Sequence, residues 1–389
     1  MLGAQLPADF ADWLDFVAVG ALLAFTWNVG PTAFALLAAA MALPYVLIGP
    51  LAGAIIDRTD LKRVMVLSNL GRALATFTAA FAPDAAILLV IVFLRSTADA
   101  FFAPAKQAAI QILVPTHDLM AVNGISHAIN QASKVAGPAL GGLLLLFLSP
   151  QNIFLANAGV SLLAAGILLG LGNRLRSTTP RSAEKSLFTD VREGLAEFRR
   201  KPALLIGLLL MAMGYFFLFL YDSLIPLLTR ALDYDQAVFG LAIAAAGGGG
   251  VLASLVLGAW SGERRPFVLM GAGYLISGPI AVFLGLAPTA GQSLPWTVYV
   301  FLFALLGAAT AAVVVPFKTI IQRESDPSRI GRVASTCEAV TVSVMLVAPF
   351  IGAAVAELYS IGASFIAGGV ALILLSIAAF LAAASPRLN

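Results

Sequence analysis

Residues 85–105 read AAILLVIVFLRSTADAFFAPA, with ten apolar residues before Arg95, a mainly apolar run after it, and Asp99 four residues on. A helix rises 1.5 Å per residue, so about 20 such residues cross a hydrocarbon core ~30 Å thick. The stretch reads as a membrane helix with a guanidinium near its middle. A charge there costs at least ~2.5–3.5 kcal/mol on insertion scales, so such residues are rare, turn away from lipid and have partners.

Segments like it recur along the chain. Of 389 residues, 60% are hydrophobic and 11% charged, against roughly 25% charged in a soluble domain, and mean hydropathy is +0.96. Twelve spans can be drawn: 4–26, 32–55, 63–82, 85–104, 119–147, 153–172, 203–228, 236–259, 266–286, 295–317, 333–357 and 361–384. No polar stretch is long enough for a separate soluble domain. No short apolar segment ends in a small-residue cleavage site, so no signal peptide is expected. The expectation is an all-α membrane protein of twelve transmembrane helices. Cys337 stands alone and cannot form an internal disulfide. His117 and His127 are the only histidines, so no metal site is expected. No phosphate-binding loop or hydrolytic motif occurs, so neither a cofactor nor enzymatic activity is expected.

The net charge of +3 and pI near 9.1 do not point to nucleic acid, because of where the charges lie. Arg58, Lys62 and Arg63, Lys106, Arg174 through Lys201, Arg264 and Arg265, Lys318 to Arg332, and Arg387 fall in alternate loops, and the opposite loops hold only Arg230. Arg72 lies inside the third span. The pattern puts the basic loops and both termini in the cytoplasm of a cell bounded by an inner membrane, facing anionic lipid headgroups.

The longest loop, 173–202, separates a bundle at 1–172 from one at 203–389. Its SLFTDVREGLAEFRRK places Leu187, Val191, Leu195 and Phe198 on one helical face, as in an amphipathic helix lying on the membrane surface. The two bundles repeat each other. TAFALLAAA from Thr32 matches AVFGLAIAA from Ala237, APAKQAAIQ from Ala103 matches VPFKTIIQR from Val315, and GPALGG from Gly137 matches APFIGA from Ala348. Three anchors in the same order argue for a six-plus-six duplication. Duplicated halves are common in secondary transporters, with the substrate near the midplane.

GAIIDRTDLKR, residues 53–63, resembles the loop between helices 2 and 3 of the major facilitator superfamily. Gly53, Asp57, Arg58, Lys62 and Arg63 fit that motif, and Asp60 replaces a usual glycine. The resemblance implies a conformational latch, in which Asp57 bonds helix ends and arginines and can release them. GPALGG, with Gly137, Pro138, Gly141 and Gly142, resembles the fifth-helix motif of the superfamily's antiporters, with Ser133 where another glycine is usual. Its glycines also suit plain helix packing. FFAPAKQAAI, LMAVNGI, VREGL and IGRV resemble a branch of macrolide, multidrug and siderophore exporters, with lysophospholipid transporters more distant. The resemblance implies the twelve-helix fold in two pseudo-symmetric halves, and export.

In that family an arginine in helix 4 is linked to proton coupling; here Ala98 and Asp99 stand where glutamine and glycine usually follow. Two roles stay open for Arg95: coupling or substrate contact, or a static pair with Asp99 one turn away. The first span, with PADFADWLDF at 7–16, supplies Asp12 and Asp15 as partners. A buried carboxylate beside a cation is suited to loading and releasing a proton. Alternatively Asp15 sits at the external mouth or caps a helix. In the fifth span Asn123, His127, Asn130, Gln131 and Lys134 share one face, lining a cavity or bonding between helices. Lys134 is a further candidate partner for Asp12 or Asp15, and His127 reads as structural rather than as a relay.

The second half lacks these charges: Arg95 aligns with Gly307, Asp99 with Ala311 and Lys134 with Met345. Phe216, Phe219, Asp222 and Glu338 are its candidates for an apolar, aromatic substrate surface, Asp222 being equally placed for a hydrated helix end. Gly247 to Gly250 suit close packing or a bend. The reading is a monomeric secondary transporter that exports a small amphipathic or lipophilic compound in exchange for protons by alternating access. The alternatives are a lipid transporter or flippase of the same fold, a proton-coupled importer, or a receptor or intramembrane enzyme.

The charge pattern fixes a topology that labelling can check. Cysteines at Arg181 and Gln292 are expected to react from opposite sides of sealed cells, Gln292 from outside. Labelling of both from outside would overturn the span assignment.

Overall fold

The computed structural model describes residues 2–56, 59–115, 119–170, 198, 200–259, 266–289, 294–325 and 330–385, with some helical residues described by backbone alone. Twelve long helices follow one another: α1 (Leu2–Ala21), α2 (Pro31–Ile56), α3 (Leu61–Ala79), α4 (Ala85–Leu113), α5 (Leu119–Leu144), α6 (Pro150–Leu169), α7 (Pro202–Phe219), α8 (Gln236–Ala259), α9 (Pro266–Leu286), α10 (Trp296–Glu324), α11 (Ile330–Leu358) and α12 (Ile361–Ala384). A π-helical turn, Leu22–Thr26, prolongs α1, and a 3-10 turn, Asp222–Leu224, leads from α7 into a short helix, Ile225–Ala231.

Local chemistry explains several helix starts. Asp84 caps α4, accepting from the Ile87 amide at 2.8 Å, and Ser360 caps α12, accepting from Ala363 at 3.1 Å. Asp60, the departure from the loop motif, caps α3 by accepting from the Arg63 amide at 3.2 Å. The substitution for glycine therefore serves the helix.

Two helices run past the expected spans. α4 reaches Leu113 rather than 104, and α10 reaches Glu324 rather than 317. Pro104 and Pro316 lie inside them, at matching places in the repeat. Apolarity falls at Lys106 and Lys318, which ends compatibility with lipid but not helical hydrogen bonding. Nine helices among the described residues are long and apolar enough to cross a membrane. The other three, α1, α3 and α5, lie in the first half and carry much of its buried polarity.

The chain divides into two compact units, one gathering α1–α6 and the other α7–α12, except that residues 30–35 group with the second and 239–244 with the first. In the first unit α1 packs on α5 and α6, and α3 on α4 and α6. In the second, α7 packs on α11 and α12, and α9 on α10 and α12. Adding six to each helix number converts one set into the other, which is the pattern a duplication leaves.

Glycine sets how closely the helices approach. A Cβ at Gly137 would run into the Trp13 side chain, and one at Gly141 would lie 3.1 Å from the Leu14 carbonyl oxygen, so these two glycines of GPALGG seat α5 on α1. Pro138 lies between them inside the helix, and Gly142 is buried. In the second unit Gly249 of α8 meets the Ala304 backbone of α10, and Gly307 of α10 meets that of Ala246. α8 stays helical through Gly247 to Gly250. Gly249 thus serves close approach of α8 and α10.

These contacts predict a contrast between two glycines. Overpacking typically costs ~1–3 kcal/mol, so Gly137→Leu should lower the melting temperature in detergent. Gly159→Leu, where an added Cβ meets nothing within 4 Å, should leave it unchanged. Equal melting of the two variants would contradict the α1–α5 contact.

Candidate functional site

The buried polar side chains of the first unit form three acid–base pairs around α1. α1 presents small residues at Ala8 and Ala11, both fully buried, which lets long side chains from neighbouring helices reach its backbone. Arg72 of α3 is fully buried. Its Nε lies 2.7 Å from Asp99 Oδ1 of α4, its Nη2 donates to the Ala8 carbonyl at 2.8 Å, and its guanidinium carbon lies 5.9 Å from the Phe102 ring centre.

Arg95 repeats the arrangement one step further along α1. Its Nε is 3.1 Å from Asp15 Oδ2, and its Nη2 donates to the Ala11 carbonyl at 3.2 Å. The Thr76 hydroxyl donates to the same Asp15 oxygen at 3.2 Å, and Asn157 Nδ2 of α6 donates to Ala11 at 2.7 Å. Side chains of α3 and α4 thus meet the carboxylate of α1, while α6 binds the neighbouring Ala11 carbonyl.

The third pair lies towards the start of α1. Lys106 Nζ is 3.8 Å from Asp9 Oδ1, while Asp9 Oδ2 accepts from Gln5 at 2.8 Å and from Asn130 at 3.4 Å. Gln5 also donates to the Ser126 carbonyl and accepts from its hydroxyl, each at 2.8 Å, which ties α1 to α5. A lone buried charge is costly and a paired, hydrogen-bonded one much less so. Among the described residues, three carboxylates stand against three cations in the interior of the bundle.

The sequence-expected residues fall into three groups. Asp15, Arg95 and Asp99 meet in this network, Arg95 with Asp15, one of its two expected partners on the first helix, and not with Asp99. The ion pairs run between helices, Arg95 with Asp15 and Arg72 with Asp99, rather than along α4 from Arg95 to Asp99. The reason is that α3 and α1 offer acceptors and donors to both residues at once. Asn130 joins through Asp9, and Lys62 donates to the Leu169 carbonyl at the end of α6 at 2.7 Å. Phe216, Phe219 and Asp222 are half-buried near the end of α7, with Tyr215 stacked on Phe219 at 5.6 Å between ring centres.

The remaining expectations lie outside what is described. The side chains of Asp12, Gly53, Asn123, His127, Gln131, Lys134 and Glu338, all of Asp57 and Arg58, and the 187–197 amphipathic segment are among them. The sequence reading passed over Gln5, Asp9, Arg72, Thr76, Lys106 and Asn157. Two carried a signal: Asp9, Asp12 and Asp15 repeat every three residues, and Arg72 is as deep in its span as Arg95. Lys106 read as a loop charge because α4 was ended too early. Among the described residues no cluster of histidine, cysteine or carboxylate could hold a metal ion.

The pairing predicts which double mutant recovers. Arg72→Ala strands Asp99 in the interior and should cost ~3–5 kcal/mol, whereas Arg72→Met with Asp99→Leu should regain most of the loss. Arg95→Ala with Asp99→Ala should not recover stability, because it strands both Asp15 and Arg72. Thermal melting that ranks these doubles the other way would refute the pairing.

Comparison with known proteins sets this arrangement in context. The sequence model of the Major Facilitator Superfamily matches residues 1–335 and 218–388. The MFS-type transporter YfiS of Bacillus subtilis (strain 168) is 30% identical over 387 residues, 97% of this chain and 91% of the relative. Macrolide efflux protein A of Enterococcus faecalis is 25% identical over 335 residues, 80% of this chain and 95% of the relative. Among solved structures, a POT family transporter in complex with 5-aminolevulinic acid superposes with a TM-score of 0.73 at 14% identity, covering 100% of this chain and 96% of its own. A bacterial homologue of the human lysosomal transporter Spinster, in an inward-facing, unoccupied conformation, gives 0.69 at 16% identity, covering 98% and 95%.

Proposed function

The chain belongs to the Major Facilitator Superfamily, as a multi-pass membrane transporter with that family's twelve-helix fold, and from that premise we propose that it exports a small amphipathic or lipophilic compound in exchange for protons. The observation that carries this reading is the Asp15–Arg95 pair, 3.1 Å apart and buried between α1 and α4. A guanidinium stays protonated under all working conditions, so it is a fixed charge. The carboxylate beside it is the partner that titrates. When Asp15 gains a proton the pair loses its attraction, while Arg95 keeps its hydrogen bond to the Ala11 carbonyl. That change in charge biases the packing of α1 against α4, which is what coupling requires.

Two further observations support export. Macrolide efflux proteins are among the relatives, at 24–25% identity, and GPALGG seats α5 on α1, the helix that carries the carboxylate. The half-buried aromatic residues at the end of α7, Phe216 and Phe219 with Asp222, offer an apolar surface with one acid, suited to a lipophilic substrate carrying a positive charge. In this reading Asn130, Gln131, His127, Asn123, Lys134 and Glu338 line the substrate path, Asp12 shares the proton with Asp15, and Gly53 to Arg63 form the latch. The protein acts as a monomer in the cytoplasmic membrane with both termini inside.

Reconstituted vesicles test the proposal with macrolides and lipophilic cations, with and without a pH gradient. Asp15→Asn should abolish uptake against a gradient and leave downhill exchange intact. Wild-type concentrative transport by Asp12→Asn, Asp15→Asn and their double would mean that the protons travel elsewhere.

A further inference from the structure

Beside Asp15, inside the first unit, is a small cavity with room for about one water molecule. Its lining is mostly apolar, with Val19, Ala79 and Phe154 among it, and Asp15, Thr76 and Arg95 are the polar residues beside it. The two oxygens of Asp15 differ in what they meet. Oδ2 has the Thr76 hydroxyl at 3.2 Å and Arg95 Nε at 3.1 Å. Oδ1 is buried and accepts no hydrogen bond from the described residues, the Asn157 amide being given to the Ala11 carbonyl. An acceptor buried in this way calls for a donor.

We propose that the cavity binds a single water, held by Asp15 Oδ1, Thr76 and Arg95, and that this water is the last carrier of the proton to and from Asp15. The proposal rests on the reading of Asp15 as the proton carrier and adds its route. A buried water needs two to four polar partners, and three polar residues border this cavity. When an excess proton reaches this site the water is briefly hydronium. One of its O–H bonds breaks as an O–H bond forms at Oδ1, leaving a neutral water and a neutral carboxyl group; release runs the same step backwards.

The cavity also has a direction. Ala79 ends α3, and Val19 lies one turn past Asp15 towards the end of α1. It therefore extends from Asp15 towards the membrane face where α3 turns into α4. By the distribution of basic loops that face is external, so protons would arrive from the side opposite to an exported substrate. Among the described residues the charges that act on Asp15 are Arg95 from α4 and Arg72 from α3, while α6 brings the neutral amide of Asn157.

Infrared spectroscopy of the purified transporter in lipid tests the route with the proton itself as probe. The carboxyl band that appears on acidification and is lost in Asp15→Asn reports Asp15, and its hydrogen–deuterium exchange rate reports access. Ala79→Val, which fills the cavity, is expected to slow that exchange at least tenfold and leave the band in place, and Ala75→Val serves if the first variant folds poorly. An unchanged exchange rate in a folded variant overturns the water route and leaves Asp15 as carrier. No Asp15-dependent band at all overturns the carrier reading instead, and the route with it. A density map resolving ordered water decides independently, since no water within hydrogen-bonding distance of Oδ1 refutes the site.

Discussion

Arginine in a bilayer is tolerable only where the protein supplies the solvation that lipid cannot, and the first unit is organised around that constraint. Arg72 and Arg95 each take one carboxylate and one backbone carbonyl of α1, Ala8 for the first and Ala11 for the second. A helical carbonyl has a second lone pair free for such a donor. This requires side chains on α1 small enough to let a guanidinium reach the backbone, which Ala8 and Ala11 provide. The same helix must also lie close to α5, which Gly137 and Gly141 permit. Charge inside the bundle and small residues at its contacts are two parts of one solution.

Much of the fold was legible because hydropathy is read over long windows and tolerates error in any one residue. All twelve helices coincide with expected spans, and their departures have local causes. α4 and α10 outlast the apolar run because a lysine ends compatibility with lipid without breaking a helix. The network was less legible. Asp15 was among the partners expected for Arg95, but the Arg95–Asp99 spacing also suits a pair along one helix, and nothing in one dimension says that Arg72 of α3 stands closer to Asp99. Arg72 and Asp9 were visible as charges inside spans, but their roles depend on which faces α1, α3 and α4 turn to one another. That is set by packing, and packing is where pattern reading stops.

The two units share a scaffold and divide its uses. Arg95 of α4 corresponds to Gly307 of α10 through the repeat. In the first unit the position carries a guanidinium that meets Asp15. In the second it is bare backbone, pressed against Ala246 of α8 so closely that a Cβ would collide with it. An arginine could not be accommodated at Gly307 without driving α8 and α10 apart, and a glycine at 95 would leave Asp15 without its cation. The duplicated position has thus been committed to electrostatics in one half and to close helix contact in the other. On the proposed reading titrating charge is needed in only one half, and the aromatic end of α7 is left to be shaped by the substrate.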